Sequence, residues 1–134
     1  MRIHIGTGDG VPIYQQIMRQ IRHMVASGRL RPGDKLPPVR TLAEQLLVNP
    51  NTVARAYREL DAAGVINARV GAGAYVAEGG SPLSDHEKRR RLTERIDGLL
   101  VEAYNLGVPL DEVAPLLEER RRAMEEGQWE EQQP

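Results

Sequence analysis

Apolar residues in the first half of the chain recur at helical spacing three times and then switch to alternation. Ile13, Ile17, Ile21, Met24 and Val25 form the first stripe, flanked by Tyr14 and Met18. Pro12 suits a helix start and Ser27-Gly28 a helix end. Arg19, Arg22 and His23 fall on the opposite face and read as solvated. A second, shorter stripe of Leu42, Ala43 and Leu46 predicts a helix from Pro38 or Val39 to about Leu46, with Arg40, Thr41, Glu44 and Gln45 outward. Between the two lies a Pro-Gly-Asp turn, anchored by Leu30 and by Leu36, the latter in a very short strand. The third stripe, Val53, Ala56, Tyr57, Leu60 and Ala63, runs between a start at Asn49-Pro50 and a stop at Gly64. The tight link Leu47-Val48-Asn49 joins it to the second, as in a helix-turn-helix unit.

After Gly64 the period becomes that of strands. Val65–Arg69 and Ala74–Ala77 read as a hairpin whose tip is Val70-Gly71-Ala72-Gly73, the arrangement called a wing. Residues 78–84 are a linker by composition, and Ser84 to Glu87 match a capping box. A long helix to about Leu106 carries the stripe Leu92, Ile96, Leu99, Leu100 and Ala103. Gly107 ends it. A last helix, opened at Val108-Pro109, carries Val113, Leu116, Leu117 and Met124; Pro115 kinks its first part or moves its start later. Residues 128–134 form a polar, frayed tail holding Trp129. At the other end, Met1–Gly10 is a Gly-containing leader in which Arg2 to Ile5 add an edge strand or lie loose.

The predicted fold is mainly α with a small β wing: a winged helix-turn-helix domain over 1–77, then a two-helix hairpin over 85–127. Two amphipathic helices cannot hide both stripes from water alone. They must pack on the first domain, on another chain, or on both, and dimerisation is the economical answer. Leu92, Ile96, Leu99, Leu100, Ala103, Val113, Leu116 and Leu117 are the candidate dimerisation residues.

Charge sharpens the picture. The net charge of −1 over 134 residues conceals an asymmetry. Met1 to Ala77 hold ten basic and five acidic side chains, whereas Glu78 to Pro134 hold eight and fourteen. A basic first unit beside an acidic second one suggests that only the first meets a polyanion. There is no Cys, hence no disulfide or thiolate metal site, and no apolar run long enough for a membrane span. With no signal-peptide core either, the expected location is the cytoplasm.

The third helix carries Asn51, Arg55 and Arg58 on one outward stripe, with Thr52 beside them. Such a stripe can enter the major groove, Asn reading adenine and Arg reading guanine by paired hydrogen bonds. An ordinary amphipathic surface helix satisfies the same pattern. In the wing, the tip glycines let backbone approach a phosphate and Arg69 supplies charge. A protein-interaction module built on a winged helix is the rival reading, since fold alone does not choose. An enzyme has no support: His4, His23 and His86 share no metal-ligand spacing, no nucleophile arrangement or Walker loop is evident, and no cofactor is expected.

Four stretches in order resemble the GntR family of bacterial transcription regulators: P-I-Y-Q-Q-I at Pro12–Ile17, L-R-P-G-D-K-L-P-P-V-R at Leu30–Arg40, N-P-N-T-V-A-R-A-Y-R-E-L at Asn49–Leu60 and G-A-G-A-Y-V at Gly71–Val76. The short C-terminal part looks like the YtrA-type branch. The resemblance implies a homodimer on double-stranded operator DNA, with repression as the expected action. It implies DNA contacts from Arg40 at the start of the second helix, from Asn51, Thr52 and Arg55, and from Gly73 and its neighbours, Gly71 included. Thr41, Asn49, Arg58 and Arg69 complete the DNA-binding candidates. Departures are Pro38 where Ser is common, implying a missing helix cap, Leu47 where Gly is common, implying a different link geometry, and Ala72 and Ala74 where the wing carries Lys or Arg and Thr, implying a weaker wing–phosphate contact. The chain after the wing is too short for an aminotransferase-like domain, leaving a small-molecule effector at a dimer groove as an open place for a ligand.

Overall fold

The computed structural model describes residues 1–8, 10–69, 73–79 and 83–127. The chain divides into two compact units, Met1–Ser81 and Pro82–Pro134.

In the first unit α1 (Ile13–Ala26), α2 (Val39–Leu46) and α3 (Pro50–Ala62) precede an antiparallel hairpin of β1 (Ile66–Arg69) and β2 (Gly73–Val76). α3 packs against both other helices and leads into β1. The core is the set of predicted stripes: Ile17, Ile21 and Met24 of α1, Leu42 and Ala43 of α2, and Val53, Ala56, Tyr57 and Leu60 of α3 are all buried. Leu30, Leu36, Ile66, Ala74 and Val76 close it from the turn and hairpin. Burial pushes the Tyr57 phenol pKa up, and its hydroxyl donates to Pro37 O at 2.7 Å.

Both ends of α3 follow local chemistry. Asn49 Oδ1 accepts the Asn51 amide at 2.8 Å, and Pro50 occupies the first turn. At the other end Gly64 takes φ +79°, which lets Val65 N reach back to Leu60 O at 3.0 Å. This closure corrects one expectation: Ala63 is the first residue past the helix and is exposed rather than core-facing. α2 ends by the same kind of reversal, with Val48 N donating to Ala43 O at 3.0 Å, but the left-handed residue is Leu47, at φ 56°. α2 also starts without a side-chain cap at Pro38.

The hairpin pairs Ile66 with Val76 and Arg69 with Gly73. Its strands begin and end within a residue of expectation, and Ala77 N still donates to Val65 O at 3.0 Å beyond them. The segment after the Pro-Gly-Asp turn lies along β2 through a single bridge rather than a strand: Lys35 bridges Tyr75, and Leu36 N donates to Ala74 O at 2.8 Å. The tip residues Val70, Gly71 and Ala72 lie outside the described residues, as do Asp9, part of the linker (80–82) and the tail with Trp129 (128–134).

The leader takes neither of its two expected forms. It forms no strand, yet it is pinned to α1 by side-chain amides. Gln16 accepts from Gly6 N at 2.8 Å and donates to Gly6 O at 2.7 Å and Val11 O at 2.9 Å. Gln20 does the same to His4, at 2.9 and 2.7 Å. Four residues along a helix rise about 6 Å and two along an extended chain about 6.6 Å, so the two spacings match. Ile3 is thereby laid on the core.

In the second unit α4 (Asp85–Asn105) is followed by a 3-10 turn (Leu110–Glu112) and α5 (Val113–Glu125). Pro115 falls in the first turn of α5, where its missing N–H has no partner to lose, so the start moves later and no kink is needed. Ser84 Oγ caps α4 by accepting Glu87 N at 3.1 Å. The Glu87 carboxylate, expected to reach back to the cap, instead accepts from Arg90 and Arg91. Lys88, Arg90 and Arg91 on α4 and Arg121 and Arg122 on α5 pair with acidic neighbours on their own helices. No helix among the described residues is long and apolar enough to cross a membrane.

Candidate nucleic-acid interface

Capping sets where α3 begins, and its buried face sets which residues point out. Asn51, Arg55 and Arg58 are exposed along one stripe, and Thr52 is half-buried beside them. Asn49 is exposed, but its carbonyl oxygen is committed to the cap. Arg40 and Thr41 are exposed in the first turn of α2.

Arg55 is not loose. Its guanidinium carbon lies 3.8 Å from the ring centroid of Tyr14 in α1, and Nη2 donates to the Tyr14 hydroxyl at 3.2 Å. Nε faces Glu59 Oε2 at 3.7 Å, beyond hydrogen-bond reach. That oxygen is shielded from water without a hydrogen-bond partner, so charge alone ties it to Arg55. The Arg55 side chain nevertheless stays 54% exposed, leaving an edge of the guanidinium to solvent.

At the hairpin, Arg69 and Gly73 face each other next to the tip. Gly73 has φ +94°, and a Cβ there would sit 3.2 Å from Lys35 Cε, so only glycine fits without displacement. Lys35 Nζ lies 6.0 Å from the Tyr75 ring centroid. The Lys35 side chain therefore runs along β2 toward the position from which the wing tip springs. A shallow open cavity of about 310 Å3, lined among others by Asn67, Arg69, Tyr75 and Glu78, lies on the same hairpin.

Sequence reasoning missed two of these side chains. Tyr14 reads as a flank of the α1 stripe, because nothing local says that α3 will place Arg55 on it. Lys35 had a usable signal: with Leu36 inward in a strand, its neighbour must point out. Among the described residues no cluster of His, Asp or Glu could hold a metal ion.

Residues 13–76 match the gntR family of bacterial regulatory proteins. The chain is 36% identical over 117 residues to the HTH-type transcriptional repressor YtrA of Bacillus subtilis, covering 87% of this chain and 90% of that protein. The chain belongs to the GntR family. Among solved structures, a transcriptional antiterminator from Listeria monocytogenes superposes with a TM-score of 0.79 at 31% identity, covering 93% of both chains. YtrA from Sulfolobus acidocaldarius, a GntR-family transcription factor, gives 0.56 at 38% identity over 72% of this chain and 97% of that one. The GntR-family chain described here is thus a winged-helix, DNA-binding regulator of transcription, and its relatives are regulators rather than enzymes.

Proposed function

We propose that this GntR-family regulator acts in the cytoplasm as a homodimeric repressor, reading a two-fold symmetric operator with α3 of each subunit in successive major grooves. The carrying observation is the exposed Asn51–Arg55–Arg58 stripe on a capped helix, with Arg55 stacked on Tyr14 and still open to solvent. Asn51 and Arg55 read bases; Thr52 and Arg58 flank them; Arg40, Thr41 and Asn49 meet the backbone. Lys35 and Arg69 hold phosphate at the wing, beside Gly73. Lys35 supplies the cation that the tip lacks at Ala72. The repressor role rests on the Bacillus subtilis relative.

Dimerisation falls to the second unit. Within one chain Leu92 is 64% exposed, Leu116 53% and Leu117 55%, and Ile96 and Leu99 are also exposed. Of the apolar stripes only Ala103 is buried, with Leu100, Val113 and Met124 partly so. Burying such side chains is worth about 1.5–3 kcal/mol each, which favours a second copy laid against them. A small-molecule effector would act through this region, by resetting the separation of the two recognition helices.

Selection of bound sequences from random duplex DNA, at two salt concentrations, tests the reading. An enriched two-fold site is expected, with affinity falling steeply as salt rises. Arg55→Ala should abolish preference for that site and leave the dimer intact. Binding without sequence preference, and a partner protein captured by the α3 face, would replace this reading with that of an interaction module.

A further inference from the structure

Tyr14 lies on α1, outside the helix-turn-helix and wing, yet its ring centroid is 3.8 Å from the Arg55 guanidinium carbon and its hydroxyl accepts from Nη2. We propose that Tyr14 is a positioning residue for base reading, acting through Arg55; this rests on the reading that α3 enters the major groove.

Hydrogen counting supports the assignment. A tyrosine hydroxyl has one proton and two acceptor sites. Arg55 Nη2 donates to it at 3.2 Å and Gln15 Nε2 at 3.1 Å, so both acceptor sites are filled. The hydroxyl is then fixed as an acceptor toward Arg55. The guanidinium has five N–H donors in a planar fork. One on Nη2 meets Tyr14, and Nε is directed at Glu59. Among the described residues the Nη1 hydrogens and the second on Nη2 have no acceptor, and a guanine presents two acceptors to such an edge.

The stack also fixes the plane of the fork. A free arginine samples many rotamers and must give that freedom up on binding. Here the ring lies against the guanidinium, its hydroxyl takes one Nη2 hydrogen and Glu59 sits at the Nε end, so the fork is oriented before DNA arrives. Gln15 and Tyr14 are adjacent on α1, and α1 packs directly on α3, so the platform moves with the recognition helix. Covering by DNA would remove water from the stack and strengthen it.

The test is a double-mutant cycle on the full chain, using a labelled duplex of the sequence recovered by selection and a copy with one half-site base pair changed. Tyr14→Leu should lower the preference between the two duplexes roughly two- to thirtyfold, the fold-change given by a cation–π contact between the exposed and desolvated ends of its range. Tyr14→Phe, which keeps the ring, should retain most of it. In an Arg55→Ala background Tyr14→Leu should cost no further affinity. Unchanged preference in Tyr14→Leu, or an equal loss with and without Arg55, would overturn the proposal. Should Tyr14→Leu fail to fold by thermal unfolding, Tyr14→Met carries the same expectations at this half-buried position. A wild-type chain that does not distinguish the duplexes would instead sink the base-reading role of Arg55, and this inference with it.

Discussion

The Arg55 guanidinium lies over the Tyr14 ring, 3.8 Å from its centroid, and donates to its hydroxyl, although the two residues stand 41 apart in the chain. A planar cation on an aromatic face is an arrangement that lysine cannot reproduce. Arg55→Lys should therefore behave unlike a conservative change. The ammonium keeps the charge but loses the stack and the paired donors. Discrimination at one base pair of each half-site should fall by about 1–3 kcal/mol, while affinity for unrelated DNA and its salt dependence stay close to wild type. Binding isotherms on matched and substituted duplexes measure both. Full discrimination in the lysine variant would show that Arg55 contributes charge only.

Lys35, in the proposed complex, contributes charge without base reading: its side chain lies against Gly73 at the base of the wing. Lys35→Ala should weaken binding to all duplexes alike and reduce the slope of log affinity against log salt by about one. A loss confined to one sequence, or an unchanged slope, would remove Lys35 from the phosphate-binding set.

Much of this fold could be read from local signals. Asn49, Pro50 and Gly64 bracket α3 because capping and reversal chemistry act within a few residues. Ile17, Ile21 and Met24 of α1 and Leu42 and Ala43 of α2 are buried as their spacing requires, with Ile13, Val25 and Leu46 partly so. What stayed hidden depends on tertiary adjacency. No local pattern says that Gln16 and Gln20 will meet the leader, or that α3 will lay Arg55 on Tyr14. Ala63 misled because a helical period was carried one step past the residue where the chain turns. In the candidate interface, the outward stripe was legible, but the state of each side chain on it was not.

Gln16 is a buried polar side chain with three hydrogen bonds to the leader backbone. Gln16→Leu keeps the volume and removes all three. Gly6 is exposed and can turn to water, so the cost should sit near the low end of the 1–3 kcal/mol typical of a buried group left unpaired. The more specific sign is hydrogen exchange: the Gly6 amide should exchange faster in the variant while amides in α3 keep their protection. Unchanged exchange at Gly6 would mean that the leader is held by Ile3 on the core instead.

Leu47 is the one non-glycine residue with positive φ among the described residues, and its side chain is 91% exposed. It gains nothing from burial and bears the left-handed penalty of roughly 1–2 kcal/mol. Glycine relieves that penalty but raises the entropy of the unfolded chain, so Leu47→Gly should gain about 0.5–1 kcal/mol net. Leu47→Ala should gain nothing, since it keeps the Cβ. Thermal unfolding of both variants separates backbone strain from mere removal of an exposed apolar group. Equal stabilisation by alanine and glycine would assign the effect to the side chain.

Acid should weaken α4 through Glu87. Hydrogen bonds from Arg90, then Arg91, hold its carboxyl down to about 2. A carboxyl pKa depressed by folding contributes stability above its unfolded value, and that contribution is lost as pH falls toward the folded one. The contribution of Glu87 should therefore be complete near neutrality and disappear between about pH 4.5 and 2. The pairs are solvent-exposed, so the effect is small and screened by salt. Glu87→Gln should unfold at a lower temperature than wild type at pH 7 in low salt, and the gap should narrow as pH falls toward 2 or as salt rises. The Glu118 carboxyl on α5, lowered by Arg121, predicts the same direction for Glu118→Gln. A gap that persists at pH 2 would mean that Glu87 acts by packing rather than by its charge.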